Sequence, residues 1–221
     1  AVRPAPLPVN MLLKVPVFDH KVVLEGGSIE VNGAGACLTT EQCLLNRNRN
    51  PHLSRSEIEQ LLKNSLGVAQ VIWLGEGIVG DDTDGHIDDI ARFVNPMTVA
   101  CVVEANARDE NYAFLQDNYE RLRSARDQHG NKFDIVTLPC PAPVFYEGAR
   151  LPASYANFYI ANEIVLVPVF DDPSDKIALG ILQELFAERK VIGLRCNEVV
   201  AGLGAIHCVT QQEPAVNFSR P

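Results

Sequence analysis

From Val22 onward, apolar positions follow a two-residue period, then a helical one, then a two-residue period again, and the order recurs. Residues 22–31 predict a strand containing Gly26 and Gly27, a pair that favours a bulge or the close approach of a ligand. Asn32 and Gly33 predict a hairpin turn, and residues 36–40 the returning strand. Ser54 and Glu57 have the spacing of a capping box, with Ile58, Leu61 and Leu62 on one helical face behind it. Residues 70–74 predict a third strand. The second pass has strands at 86–94 and 98–103, a helix with Tyr112, Leu115, Tyr119 and Leu122 on one face, and a strand at 133–138. The third has strands at 157–161 and 164–169. Asp172 then caps a helix before Pro173, with Ile177, Ile181, Leu182, Leu185 and Phe186 on one face, and a strand follows at 190–194. Residues 205–209 predict the first strand of a fourth unit. Before all of these, residues 15–18 predict a short edge strand, because Pro16 removes a ladder donor.

The pattern is β-β-α-β three times, plus a beginning. Units of this size cannot bury their apolar faces alone and must pack on one another. Polar residues gather at the start of each unit: Glu25 to Ser28, Asp84 to Asp88, Ser154 to Asn157 and Gly204 to Cys208. An ordinary α/β sheet with crossover helices is the simplest alternative. The repeated placement of the polar groups instead favours units set around an axis on which the first strands converge.

Composition narrows the class. The chain has 221 residues, 47% of them hydrophobic and 21% charged, which suits a packed core. No apolar run approaches the roughly 20 residues of a membrane helix. Residues 1–8 are proline-rich without the pattern of a signal peptide, so a cytoplasmic protein without membrane association is expected. The net charge of −9 argues against a nucleic-acid partner and suits a small cationic substrate. None of the six cysteines forms a Cys-x-x-Cys pair, so a structural zinc site is not expected. Cys37 and Cys101, in apolar runs, are expected to pack as small hydrophobes, whereas Cys208 follows His207 and precedes polar residues.

The densest chemistry lies in residues 80–93, where His86 stands among Asp81, Asp82, Asp84 and Asp88. On a strand, His86 and Asp88 share one face. An imidazole beside a carboxylate can move protons and hold a cation. By the same alternation, His207 is expected to point away from the face of Cys208.

Several segments together resemble the agmatine deiminases, within the guanidino-group-modifying enzymes of pentein fold. They are residues 22–29 (Val-Val-Leu-Glu-Gly-Gly-Ser-Ile), 38–46, 48–51, 71–74, 80–88 (Gly-Asp-Asp-Thr-Asp-Gly-His-Ile-Asp), 153–162 and 202–212 (Gly-Leu-Gly-Ala-Ile-His-Cys-Val-Thr-Gln-Gln). The resemblance implies an α/β propeller built as a ring of five ββαβ units, of which this chain holds three and the first strand of a fourth. It implies Cys208 as nucleophile, His86 as proton-transfer residue, Asp88 as guanidinium-binding carboxylate and Glu25 as support for the histidine. Asp82 matches an acidic position near the substrate. Asp84 is a further candidate for a distant substrate amine, and Gly204 for close backbone approach. The implied reaction hydrolyses agmatine to N-carbamoylputrescine and ammonia through a cysteine thiouronium, a step of putrescine formation, with neither metal nor organic cofactor. The alternatives are a deiminase of peptidyl or free arginine, and an inactive truncated domain. Residues 1–20 read as a partial N-terminal segment and residues 21–221 as the catalytic domain. The family's N-terminal units, with a second guanidinium-binding aspartate, find no match here. An incomplete ring would expose apolar ends, so a homo-oligomer is expected.

Overall fold

The computed structural model describes residues 17–213. Three three-stranded sheets follow one another, each with an antiparallel pair and then a parallel one. In the first, β1 (Ile29–Val31) pairs antiparallel with β2 (Ala36–Thr40), and β2 pairs parallel with β3 (Gln70–Leu74). The short helix α1 (Glu41–Leu44) and the longer α2 (Arg55–Leu66) make the crossover. In the second, β4 (Ala91–Asn95), β5 (Thr98–Val103) and β6 (Asp134–Pro139) repeat the arrangement around α3 (Tyr112–Ser124). A small hairpin, β7 (Phe145–Tyr146) with β8 (Ala149–Arg150), was not foreseen from the sequence. In the third, β9 (Tyr159–Ile160), β10 (Ile164–Val169) and β11 (Lys190–Arg195) surround α4 (Ser174–Leu185).

The units interlock. Helix α3 of the second unit packs on β3 of the first, and α4 of the third packs on β6 of the second. Strand alternation divides β2 between two cores. Ala36 and Leu38 join the main cluster with Ile87, Ile90, Phe93, Leu115 and Phe158, while Cys37 faces a smaller one with Ile58, Leu62 and Trp73. Cys37 and Cys101 are fully buried, and desolvation pushes both thiols up to about 12. The capping box forms as expected: Ser54 Oγ accepts from the Glu57 amide at 3.4 Å, and the Ser54 amide donates to Glu57 Oε2 at 2.8 Å.

Arg92 links all three units. Although it is fully buried, its Nε donates to Glu30 Oε2 of the first unit at 2.9 Å. Its Nη1 reaches the third unit, donating to the Phe158 carbonyl at 2.7 Å and to the Ala156 carbonyl at 3.4 Å. The guanidinium also lies over the Phe158 ring, 5.0 Å from its centroid.

The structure corrects several expectations. The leading halves of the expected first strands are not strands. Gly26–Ser28 and Ile87–Asp89 are 3₁₀ turns, and within the expected strand at 205–209 residues 206–209 form a turn. All four unit starts instead share one backbone device, an amide-to-carbonyl bond across three residues: Ser28 to Glu25, Ile90 to Ile87, Asn157 to Ser154 and Thr210 to His207. Helix α4 begins at Ser174, with Pro173 rather than Asp172 at its cap. Ile177 is 57% exposed, because Ala178, Leu182 and Phe186 form the buried stripe. Of the expected edge strand at 15–18, residues 15 and 16 lie outside the described residues, and Val17 and Phe18 belong to no strand.

Candidate active site

The polar turns of the four unit starts meet. Ile87 and Ile90, three residues apart, are both fully buried and anchor the second turn, which leaves His86, Asp88 and Asp89 facing the other turns. Gly27 of the first turn lies against them. A Cβ placed there would stand 2.6 Å from His86 Nδ1 and 2.8 Å from Asp88 Oδ2, so only glycine lets the imidazole and the carboxylate approach this backbone together. On the fourth turn, a Cβ at Gly204 would meet the Cys208 Cβ at 2.7 Å and Sγ at 3.1 Å.

Cys208 is exposed, and its thiol lies within donating distance of Asp88 Oδ2, at 3.6 Å. Asn157 Nδ2 donates to the sulfur at 3.1 Å. Desolvation, with the charges of Asp89 and Asp88, pushes the thiol up to about 12. Asp88 is fully buried. Its Oδ2 bonds His207 Nδ1 at 2.7 Å, and its Oδ1 has no partner among the described residues. Nε2 of His86 is likewise buried and unpartnered among them. Unpaired buried polar atoms are costly in a finished core and expected in a site that binds a polar ligand.

Glu25 lies close to His86 but is held by another residue. One of its oxygens, Cys43 Sγ and a ring nitrogen of His86 all fall within 4.8 Å of one another. Both of its oxygens accept from Arg49 Nε, at 2.8 and 3.1 Å. By residue type this trio could ligate a metal. Arg49 sets a permanent cation against it, however, and burial keeps the Cys43 thiol up at about 12. Asp88, Asp89 and Cys208 form a second such trio, in which the carboxylates face the sulfur.

The acidic loop divides its work. Asp81 is a brace: its Oδ2 accepts from the Gly85 and His86 amides, each at 2.9 Å. Asp84 has a positive φ of 61° and accepts from Asn48 Nδ2 at 2.7 Å and from Arg49 at 2.9 Å. The Asn48 bond and the Arg49 cation hold its carboxyl below the usual range. Asp82 is exposed and makes no hydrogen bond among the described residues. The structure thus brings Cys208, His86, Asp88 and Gly204 together, sets Glu25 beside them in an ion pair, and leaves Asp82 and Asp84 on the loop outside.

His207 departs from expectation. It is buried against Asp88 and does not point away from the face of Cys208, because a turn, unlike a strand, lets neighbouring side chains enter one pocket. Asn157 and Asp89 were also missed as site residues. Asn157 Nδ2 donates to Asp89 Oδ1 at 2.9 Å, and its Oδ1 accepts from the His207 amide at 2.9 Å and the Cys208 amide at 3.3 Å. A signal for Asn157 was present, since it belongs to the polar cluster that recurs at each unit start.

The family model of the Porphyromonas-type peptidyl-arginine deiminases matches residues 6–214. The chain belongs to this family. It is 42% identical over 224 residues to an agmatine deiminase of Medicago truncatula, and 43% over 211 residues to one of Pseudomonas fluorescens. The first match covers 92% of this chain and 60% of the relative; the second covers 87% and 57%. The chain therefore spans under two thirds of the length of these relatives. Among solved structures, the agmatine deiminase of Enterococcus faecalis superposes with a TM-score of 0.88 at 40% identity, covering 94% of this chain and 62% of that one. An amidinotransferase from Microseira wollei, 15% identical with a TM-score of 0.52, shares the fold, which is the pentein α/β architecture. No helix among the described residues is long and apolar enough to cross a membrane.

Proposed function

We propose that this chain carries the nucleophile side of an agmatine deiminase active site. The observation that supports it is the buried carboxylate of Asp88, with one oxygen unpartnered and the other 3.6 Å from the Cys208 sulfur. A carboxylate so placed pairs with a planar guanidinium and holds its central carbon towards the thiol. Desolvation, with the charges of Asp89 and Asp88, keeps the thiol protonated. An arriving cation offsets Asp88 and Asp89 and brings the thiol down, so that substrate itself promotes thiolate formation.

The reaction then runs in two displacements. The Cys208 thiolate attacks the guanidinium carbon, a C–S bond forms, and a C–N bond breaks as ammonia leaves with a proton from His86. Water, losing its proton to His86, attacks the thiouronium. The C–S bond breaks, the remaining hydroxyl proton passes to solvent, where the released ammonia takes it up as ammonium, and N-carbamoylputrescine leaves with the thiolate restored. Free arginine fits less well, because its carboxylate calls for a cation. Arg49, the arginine bonded to this loop, is already committed to Glu25 and Asp84.

The test uses two alkylating reagents on Cys208, a cationic haloacetamidine and neutral iodoacetamide. Asp88→Ala should slow the cationic reagent about tenfold or more relative to the neutral one, consistent with a lost charge-assisted bond of about 1.5–3 kcal/mol. Cys208→Ser should abolish both labelling at this position and ammonia release. Equal slowing of both reagents by Asp88→Ala would remove Asp88 as the guanidinium anchor. The competing reading, a domain that binds guanidines without turnover, is addressed by comparing ammonia release from agmatine by this chain and by a version extended with the N-terminal units of a relative. Turnover in the extended version alone would assign the missing groups to those units. Silence in both would favour the non-catalytic reading.

A further inference from the structure

Asn157 is fully buried, and each atom of its amide has work to do. Its Oδ1 faces two consecutive backbone donors, the amides of His207 and Cys208. This fixes which way the amide points, since the reversed orientation would set its NH₂ against two N–H groups. Its Nδ2 must then face Asp89 Oδ1 at 2.9 Å and Cys208 Sγ at 3.1 Å. Among the described residues, Asn157 is the only side chain that donates to this sulfur. The other polar groups beside it, Asp88 and Asp89, are carboxylates. A thiolate formed here would have acceptors on one side and this single side-chain donor on the other.

We infer that Asn157 is a positioning residue for the nucleophile, holding the Cys208 turn through its carbonyl and stabilising the thiolate through its amino group. The inference rests on Cys208 being the reactive thiol, but its test does not require turnover. It therefore stands or falls separately from the deiminase assignment. The carbonyl function alone would make Asn157 structural. The amino function makes it chemical, because it favours the charged over the neutral form of the sulfur.

The experiment is the pH profile of Cys208 alkylation by iodoacetamide, followed by peptide mass mapping, in the wild-type chain and in Asn157→Ala and Asn157→Asp. Urea unfolding is measured on all three. Asn157→Asp keeps an acceptor for the two backbone amides and replaces the donor with a second oxygen. Asn157→Ala removes the donor without adding charge. The Ala profile should move up by about one pH unit, which reads as alkylation about tenfold slower at pH 8, and the Asp profile should move further. A folded variant of either kind that alkylates within twofold of wild type across the profile overturns the inference. Loss of cooperative unfolding in both variants also overturns it, by reducing Asn157 to a structural residue.

Discussion

Asp89 stands where a carboxylate is hardest to keep charged. It is buried, its neighbour is the carboxylate of Asp88, and both factors push it well above the usual carboxylate range. A group whose folded pKa is raised binds its proton more tightly in the native state. Stability is therefore lost as pH climbs from the unfolded value through the folded one. Asp89→Asn keeps an acceptor for Asn157 Nδ2 and removes the titration. The variant should unfold at higher urea than wild type at pH 7, and the difference should shrink to nothing as pH falls below the ordinary carboxylate range. A pH-independent difference would place its origin elsewhere. At this scale the sequence was half legible. Cys208, His86 and Asp88 stand together as the motifs suggested, since a side-chain type at a fixed spacing survives a change of local backbone. Whatever depended on that backbone was not legible. Strand alternation turns His207 the wrong way, and the partner of Glu25, Arg49, lies 24 residues downstream.

Elements were most legible where one period runs unbroken. Strands β2, β5 and β10 and the buried stripes of α2 and α3 follow from apolar spacing alone. The unit starts failed because over three or four residues a 3₁₀ turn and a strand give similar patterns. The His86–Asp88 spacing suggested a strand, while Ile87 and Ile90 carried the three-residue period that the structure adopts. The buried Asn118 in α3 was also hidden. Its side chain accepts from the Gly75 amide and donates to the Glu76 carbonyl, both at 2.7 Å, satisfying a loop that the helix pattern cannot reveal. The capping box of α2 gives a clean element-scale prediction. Ser54→Ala should destabilise the chain by about 1 kcal/mol, read as a lower urea midpoint. Because no residue of α2 bonds to the four turns among the described residues, Cys208 alkylation should stay at the wild-type rate.

For the whole molecule, the repeat and its convergence could be read from the sequence, since polar clusters recurring at one point of each unit need a common place to go. The device that locks the units could not. Nothing in the spacing pairs Glu30 with Arg92, and neither shows its burial in one dimension. Glu30→Gln would leave the Arg92 guanidinium buried without its anion. A cost of about 3–5 kcal/mol is expected, measured as loss of urea resistance. A loss below about 1 kcal/mol would mean that the carbonyls of the third unit suffice.

That lock also bears on how the protein opens. A charge bound simultaneously to the first and third units from a strand of the second cannot be released by fraying one sheet alone. The slowest-exchanging backbone amides of β2, β5 and β10 should therefore report a single opening event of common free energy rather than three staggered ones. In Glu30→Gln that shared event should split, with the amides of β2 exchanging ahead of the other two sheets.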